Sequence, residues 1–331
     1  MLKFNNRKLN DIAFVIGDNC NTNKKLSKLL KVPLLGCYSH RLNLAIRLMI
    51  DTKYKEVVQK VHDLCIKLRT SKMKGWLVNK KCNWVSIINS ETRWDSDFKM
   101  IKRYIQLRPF IRVNPHPDFA DELLNVRLDR CVDELIRILE DLYSVSLQLQ
   151  KDDISIAKAR IYIEEAIELY PILSSHIDTD SAIVYSPSFE SGILKLQNND
   201  ESSLNPSEKM AIKSLELRVS PTVGIVSADE SESSDNELNL VQRVNKRMKL
   251  ELHYNSKYIN VKGIAPTSNC VKRLFSQCKQ VITGRRNRLL PTIFEMIMFL
   301  KLNMHVWDIN TVQRSLALVD DEDMLLGEEE E

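Results

Sequence analysis

The sequence predicts an α-rich α/β fold, and three observations carry that prediction. Two short runs, Ile12-Ala13-Phe14-Val15-Ile16-Gly17 and Val32-Pro33-Leu34-Leu35-Gly36, are apolar throughout rather than alternating. That is the pattern of strands covered on both faces, as in a parallel sheet. Long stretches between Lys55 and Tyr170 repeat apolar residues at three- and four-residue spacing, the period of a helix with one buried face. Only 8 glycines occur in 331 residues, while Leu, Lys, Glu and Ile are abundant, which favours helix over a loop-rich all-β chain.

The elements follow in order. Residues 12–17 read as a strand and Thr22 to Leu30 as a short helix, with Asn21 or Thr22 as its N-cap. Residues 32–37 read as a second strand and Ser39 to Ile50 as the next helix. Lys55 to Leu68 is amphipathic, with Val57, Val58, Val61, Leu64, Cys65 and Leu68 on one side. Phe98 to Leu107 is a further amphipathic run, and Asn114-Pro115-His116-Pro117 breaks it off. Residues 120–170 read as wholly helical, through Val132, Leu135, Ile136, Leu139 and Leu142 and then Ile154 to Tyr170. Residues 196–240 read as a linker, centred on the tract at 227–235, which is acidic, Ser-rich and without apolar anchors. From Pro291 to Asn303 a last helix is apolar nearly all round, broken only by Glu295 and Lys301. Such a helix is either central to the core or packed against a second subunit.

Size and composition bound the function. A chain of 331 residues is one large or two modest domains with a real core. No apolar run reaches the length of a membrane span, and residues 1–11 lack the apolar core of a signal peptide. Seven cysteines without a framework spacing fit a reducing compartment. The net charge is only +4, but Val241 to Leu290 carries twelve Lys or Arg against one acid, Glu251, whereas the tail at 320–331 is acidic. The basic block is either a solvated surface or a polyanion-binding face.

Few residues carry candidate chemistry. Asp18 ends the first strand, where α/β folds place functional carboxylates. It reads either as a strand-end or N-cap residue or as a ligand. Cys37-x-x-His40 is half a zinc site, and a second pair of matching spacing is lacking. Trp94, in Thr92-Arg93-Trp94-Asp95-Ser96, is either a core aromatic or a platform on which a base stacks. The sequence contains no Gly-rich phosphate loop and no ordered Ser-His-Asp set.

These motifs, in this order, resemble hAT-superfamily DNA transposases. The resemblance rests on GDNCNTN at 17–23, GCYSHRLNLA at 36–45, the Thr-Arg-Trp at 92–94, and residues 264–303 with Thr267-Ser268, Arg273-x-Phe275-Ser276 and Arg285-Arg286-Asn287-Arg288-Leu289. It implies a truncated RNase H-like core over 1–110, interrupted by an all-helical insertion over 111–195. An acidic linker at 196–245, a C-terminal dimerisation region at 246–310 and an acidic tail at 311–331 follow. Strand 12–17 is then expected to have a bare apolar edge, which invites association.

The resemblance also assigns roles and exposes a loss. Asp18 stands at a catalytic position, and Cys37 and His40 stand at positions that support the active site. The family pattern has a catalytic Glu immediately before the Arg of its Arg-x-Phe-Ser, and here that residue is Lys272. A lysine has no oxygen to offer Mg²⁺. The family's first catalytic Asp lies on an earlier strand, and only seventeen residues precede Asp18. Trp94, Arg273, Arg285, Arg286 and Arg288 fall at DNA-contacting positions, and Phe275, Leu289, Phe294, Ile297, Met298 and Leu300 in the dimerisation region.

The expectation is a transposase-derived protein without strand-transfer activity that dimerises and binds DNA non-specifically. No cofactor is expected. An active enzyme would instead hold Mg²⁺ at Asp18 and need replacement acids such as Glu190 or Glu295. A structural module that never touches DNA is the remaining alternative. The expected partners are a second copy and DNA, not a membrane, and the expected location is the nucleus.

Overall fold

A computed structural model describes residues 8–90, 93–217, 257–283, 289–305, 307–311 and 313. The chain divides into two compact units, Met1–Ser268 and Asn269–Glu331.

The first unit opens with strand β1 (Val15–Gly17), helix α1 (Asn21–Leu30), strand β2 (Leu34–Gly36) and helix α2 (Tyr38–Met49). The two strands pair in parallel, with Val15 opposite Leu34 and Gly17 opposite Gly36. Both strands are three residues long, shorter than the apolar runs that predict them. Leu34 and Leu35 are buried, as a strand covered on both faces requires. Part of the edge expected to be bare is met from elsewhere: Phe14 leans on Phe189 with ring centroids 5.4 Å apart, and Ser214 Oγ donates to the Ala13 carbonyl.

Helix dominates the rest. After α2 a single π-turn (Ile50–Tyr54) leads into α3 (Lys55–Leu68) and α4 (Ser71–Asn79). Then come α5 (Trp94–Arg112), α6 (Val126–Gln148), α7 (Ile156–Leu169), the short α8 (Ser174–Ile177), α9 (Pro187–Gln197) and α10 (Pro206–Ala211). The periodic rows lie where their spacing puts them. Val57, Val58, Val61, Leu64, Cys65 and Leu68 of α3 are all buried, as are Val132, Leu135, Leu139 and Leu142 of α6. Asn125 and Ser155 start α6 and α7 by accepting from the backbone N–H groups of Leu128 and Lys158. Helices α5, α6 and α7, read from sequence as part core and part insertion, share one continuous hydrophobic cluster with α2 and α3.

The expected linker begins too early. Residues 196–217 are structured: α10 starts on a capping box in which Asn205 and Glu208 each accept from the other's backbone N–H. Glu216 then pairs with Tyr258 in an isolated antiparallel bridge. The serine tract at 227–235 and the acidic tail lie outside the described residues.

The second unit holds α11 (Asn269–Val281) and α12 (Pro291–Leu302). Asn303 Nδ2 and Trp307 Nε1 donate to the carbonyls of Phe299 and Leu300, closing the end of α12. No helix among the described residues is long and apolar enough to cross a membrane.

Candidate functional site

The two strand ends carry the motif residues. Gly17 and Gly36 stand side by side, each under an asparagine side chain. A Cβ on Gly17 would lie 2.7 Å from Asn23 Nδ2, and one on Gly36 would lie 2.7 Å from Asn19 Oδ1. Asn23 Nδ2 donates to the Asp18 carbonyl and Asn19 Nδ2 to the Ile183 carbonyl. The asparagines of the GDNCNTN segment therefore tie the turn after β1 to its surroundings. The N-cap of α1 is Cys20, without a side-chain cap, and not Asn21 or Thr22.

Asp18 is half-buried, and its carboxylate lies 3.8 Å from His40 Nδ1. His40 is carried by the first turn of α2, whose N-cap is Cys37. The turn divides its residues cleanly: Ser39 and His40 are half-exposed, while Tyr38 and Arg41 point inward and are buried. Cys37 is buried and donates its backbone N–H to the Gly17 carbonyl. Its Sγ accepts from the Ser268 N–H at 3.4 Å, and the Tyr38 N–H donates to the Pro266 carbonyl. Two motifs more than two hundred residues apart in sequence thus meet at the start of α2. Cys37 sits at the N-cap of α2 as a buried packing residue whose Sγ is engaged by the Ser268 N–H.

Beneath this turn lies a polar network that the motif reading missed. Arg41 is 1% exposed, yet all five of its N–H groups have acceptors. Nη1 donates to both oxygens of Glu190 at 2.8 and 3.1 Å, Nε donates to the His176 carbonyl, and Nη2 to those of Ile177 and Asp178. Tyr38 Oη donates to Glu190 Oε1 at 2.6 Å. Burial first, and then the adjacent Glu190 charge, push the Tyr38 hydroxyl well above its ordinary pKa. Arg160 continues the network to the Ile177 carbonyl and the Asp178 carboxylate. Burial pushes the Asp178 carboxyl up, but hydrogen bonds from Thr179 and Arg160 more than offset it, leaving the pKa lowered. The signal that could have revealed Arg41 was its i, i+3 spacing from Tyr38 on an otherwise apolar helix face.

Several sequence expectations change in three dimensions. Glu190, named as a replacement catalytic acid, has both oxygens taken by Arg41 and Tyr38 and is buried. Trp94 is 4% exposed and packs among Phe98 and Tyr143, so it is a core aromatic and not an open stacking platform. Its burial follows from α5 starting at Trp94 with that side facing α6. Lys272, Arg273 and Glu295 are exposed on the second unit. Arg285, Arg286 and Arg288 lie outside the described residues. Of the dimerisation set, Phe275, Ile297 and Leu300 are exposed, Leu289 and Phe294 are half-buried, and Met298 is buried.

Among the described residues the donor set at the strand ends does not fit Mg²⁺. Asp18 contributes one carboxylate and His40 one imidazole, and the described residues hold no cluster of three or more metal-ligating side chains. Two-metal phosphoryl transfer needs several carboxylates converging on one point. Burial pushes the Cys65 thiol up to about 12, which keeps it protonated in the core. No protein-family model matches the chain, and no curated protein matches it.

Proposed function

We propose that this is a transposase-derived protein without strand-transfer activity, whose working capacities are self-association through its C-terminal unit and non-specific contact with DNA. The observation that carries the proposal is α12. Of its twelve residues only Glu295 and Lys301 are charged, and Ile293, Met296, Ile297, Phe299, Leu300 and Leu302 are all exposed. Met296 and Phe299 stand 62% and 64% open. Contiguous exposed apolar surface of this kind marks an interaction face. A second copy is the occupant we assign, because the segment matches the family's dimerisation region in order and type.

Two further points support the reading. The carboxylate at the strand end is accompanied by an imidazole, and the position where the family pattern has Glu is Lys272. The basic block at 241–290 supplies cations for phosphate contact without base-specific geometry. The same reading places the protein in the nucleus, where its DNA lies.

The test is mass determination in solution by light scattering, at low and high salt. A dimer that persists in high salt is the expected result, since apolar contacts are not screened. A monomer at every salt concentration would overturn the self-association. Duplex binding that weakens steeply with salt is expected beside it, and Mg²⁺-dependent cleavage of that duplex would overturn the absence of catalysis. Salt-insensitive behaviour would favour an interaction module that never touches DNA.

A further inference from the structure

We infer that helix α1 is a second nucleic-acid contact surface, lying on the first unit immediately after Asp18 and distinct in sequence from the basic block at 241–290. The inference deepens the DNA-contact reading and rests on it.

The argument starts from charge. Residues 19–50 contain no Asp or Glu, while α1 and its C-cap carry Lys24, Lys25, Lys28 and Lys31. Elsewhere in the unit some lysines close on carboxylates, as Lys53 on Glu134, Lys67 on Glu122, Lys72 on Asp118, Lys102 on Glu140 and Lys195 on Glu208, while others, such as Lys55, Lys60 and Lys74, are single charges; what distinguishes α1 is four lysines within eight residues. Among the described residues, none of the four α1 lysines has a carboxylate within ion-pairing distance. Lys25, Lys28 and Lys31 are exposed, and Lys24 leans over the Tyr185 ring at 5.8 Å.

Geometry then selects the partner. Ser27 is buried and turns the opposite side of α1 toward the sheet, where its Oγ donates to the Val32 carbonyl. Lys25 and Lys28 are three residues apart and so lie on neighbouring outward positions. With Lys31 they span roughly 9 Å along the axis. Duplex DNA carries one charge per about 1.7 Å of its axis, so such a row faces several phosphates in any register. Lysines are point charges on flexible stems and lack the planar fork that reads a particular group. The row therefore fits a continuous polyanion better than a single acidic side chain. An anionic membrane fits less well, because Leu26 and Leu29 are the only large apolar residues exposed on α1, a small apolar area with which to enter a bilayer interface.

The experiment uses the full chain and a fluorescent 30-base-pair duplex of arbitrary sequence, titrated across salt. We expect the variant Lys25→Gln/Lys28→Gln/Lys31→Gln to bind at least ten-fold more weakly at 0.1 M salt. Its slope of log affinity against log salt should be shallower by up to about 2.7, the value for three lost phosphate contacts. Lys25→Arg/Lys28→Arg/Lys31→Arg should keep wild-type binding. Lysine acylation of the wild-type protein, read by mass spectrometry, avoids any effect of substitution on folding: duplex should protect Lys25, Lys28 and Lys31 but not Lys74. A wild-type protein that does not bind duplex overturns the DNA reading and this inference together. Binding that is lost in Lys272→Gln/Arg273→Gln/Lys279→Gln but unchanged in the α1 variant, with no protection of its lysines, overturns this inference alone. Protection by phosphatidylserine vesicles and not by duplex would make α1 a membrane surface and overturn it also.

Discussion

Helices α3 and α12 carry the same kind of sequence signal and meet opposite fates. All six apolar residues that mark α3 are buried, whereas α12 leaves six of its apolar residues exposed. The difference is in what the rest of the chain supplies. The apolar stripe of α3 occupies one side of the helix, and α5, α6 and the turn at Pro117–Glu122 pack against it. The apolar residues of α12 run round the whole helix, more than the described residues of its unit cover. A narrow stripe is satisfied inside a chain, and an all-round one needs more surface than its own unit offers.

Substitutions sharpen that contrast. The largest effect is expected in the buried unit at Arg41. Arg41→Ala leaves the buried Glu190 carboxylate without its counter-charge, with the Tyr38 hydroxyl as remaining donor, and should cost about 3–5 kcal/mol in denaturant unfolding. The double change Arg41→Leu/Glu190→Leu should recover most of that loss, and a double variant no better than Arg41→Ala would sink the account. Leu139→Ala, at a fully buried position of α6, should cost about 2–5 kcal/mol. Phe299→Ala is its counterpart: it should change unfolding of the dilute protein by less than about 0.5 kcal/mol, yet weaken self-association at least ten-fold by sedimentation. Equal effects at Leu139 and Phe299 on unfolding would erase the distinction between the two regions.

Two smaller effects probe the strand ends and α10. Gly36→Ala forces Asn19 aside, because the new Cβ would meet both of its terminal atoms within 3 Å. Losing the Asn19 bond to Ile183 should cost about 1–2 kcal/mol by thermal melting. Glu208→Gln weakens the capping box of α10 and should cost about 1 kcal/mol at neutral pH. Burial pushes the Glu208 carboxyl up, but hydrogen bonds from Lys195, Ser191 and the Asn205 N–H hold it below its ordinary 4.5. Its contribution is therefore complete above that value and lost as pH falls through the lower folded value. Melts of wild type and variant should converge in acid, and a difference that persists there would contradict the ion-pair contribution.

Much of the helical frame was legible. Period alone located α3 and the buried side of α6, and two unbroken apolar runs located the parallel strands. The α10 turn was missed because its signal is local capping chemistry inside a polar stretch, Asn205-Pro206-Ser207-Glu208, and not periodicity. At the candidate site Asp18, Cys37 and His40 were marked by position, but the motifs did not single out Arg41 as a buried cation.

The sequence by itself determined the long periodic helices, where the two strands lie, and that the carboxyl end of the first strand carries an acid. Those outcomes follow from neighbours within a few residues. Only the tertiary structure decided that Arg41 and Glu190 neutralise each other in the interior, that Trp94 faces inward, and that Ser268 arrives at Cys37. It also decided that the lysines of α1 find no carboxylate among the described residues. Each of these depends on which distant segment is brought alongside, and the fate of a polar or aromatic side chain is set by whether that segment supplies a partner.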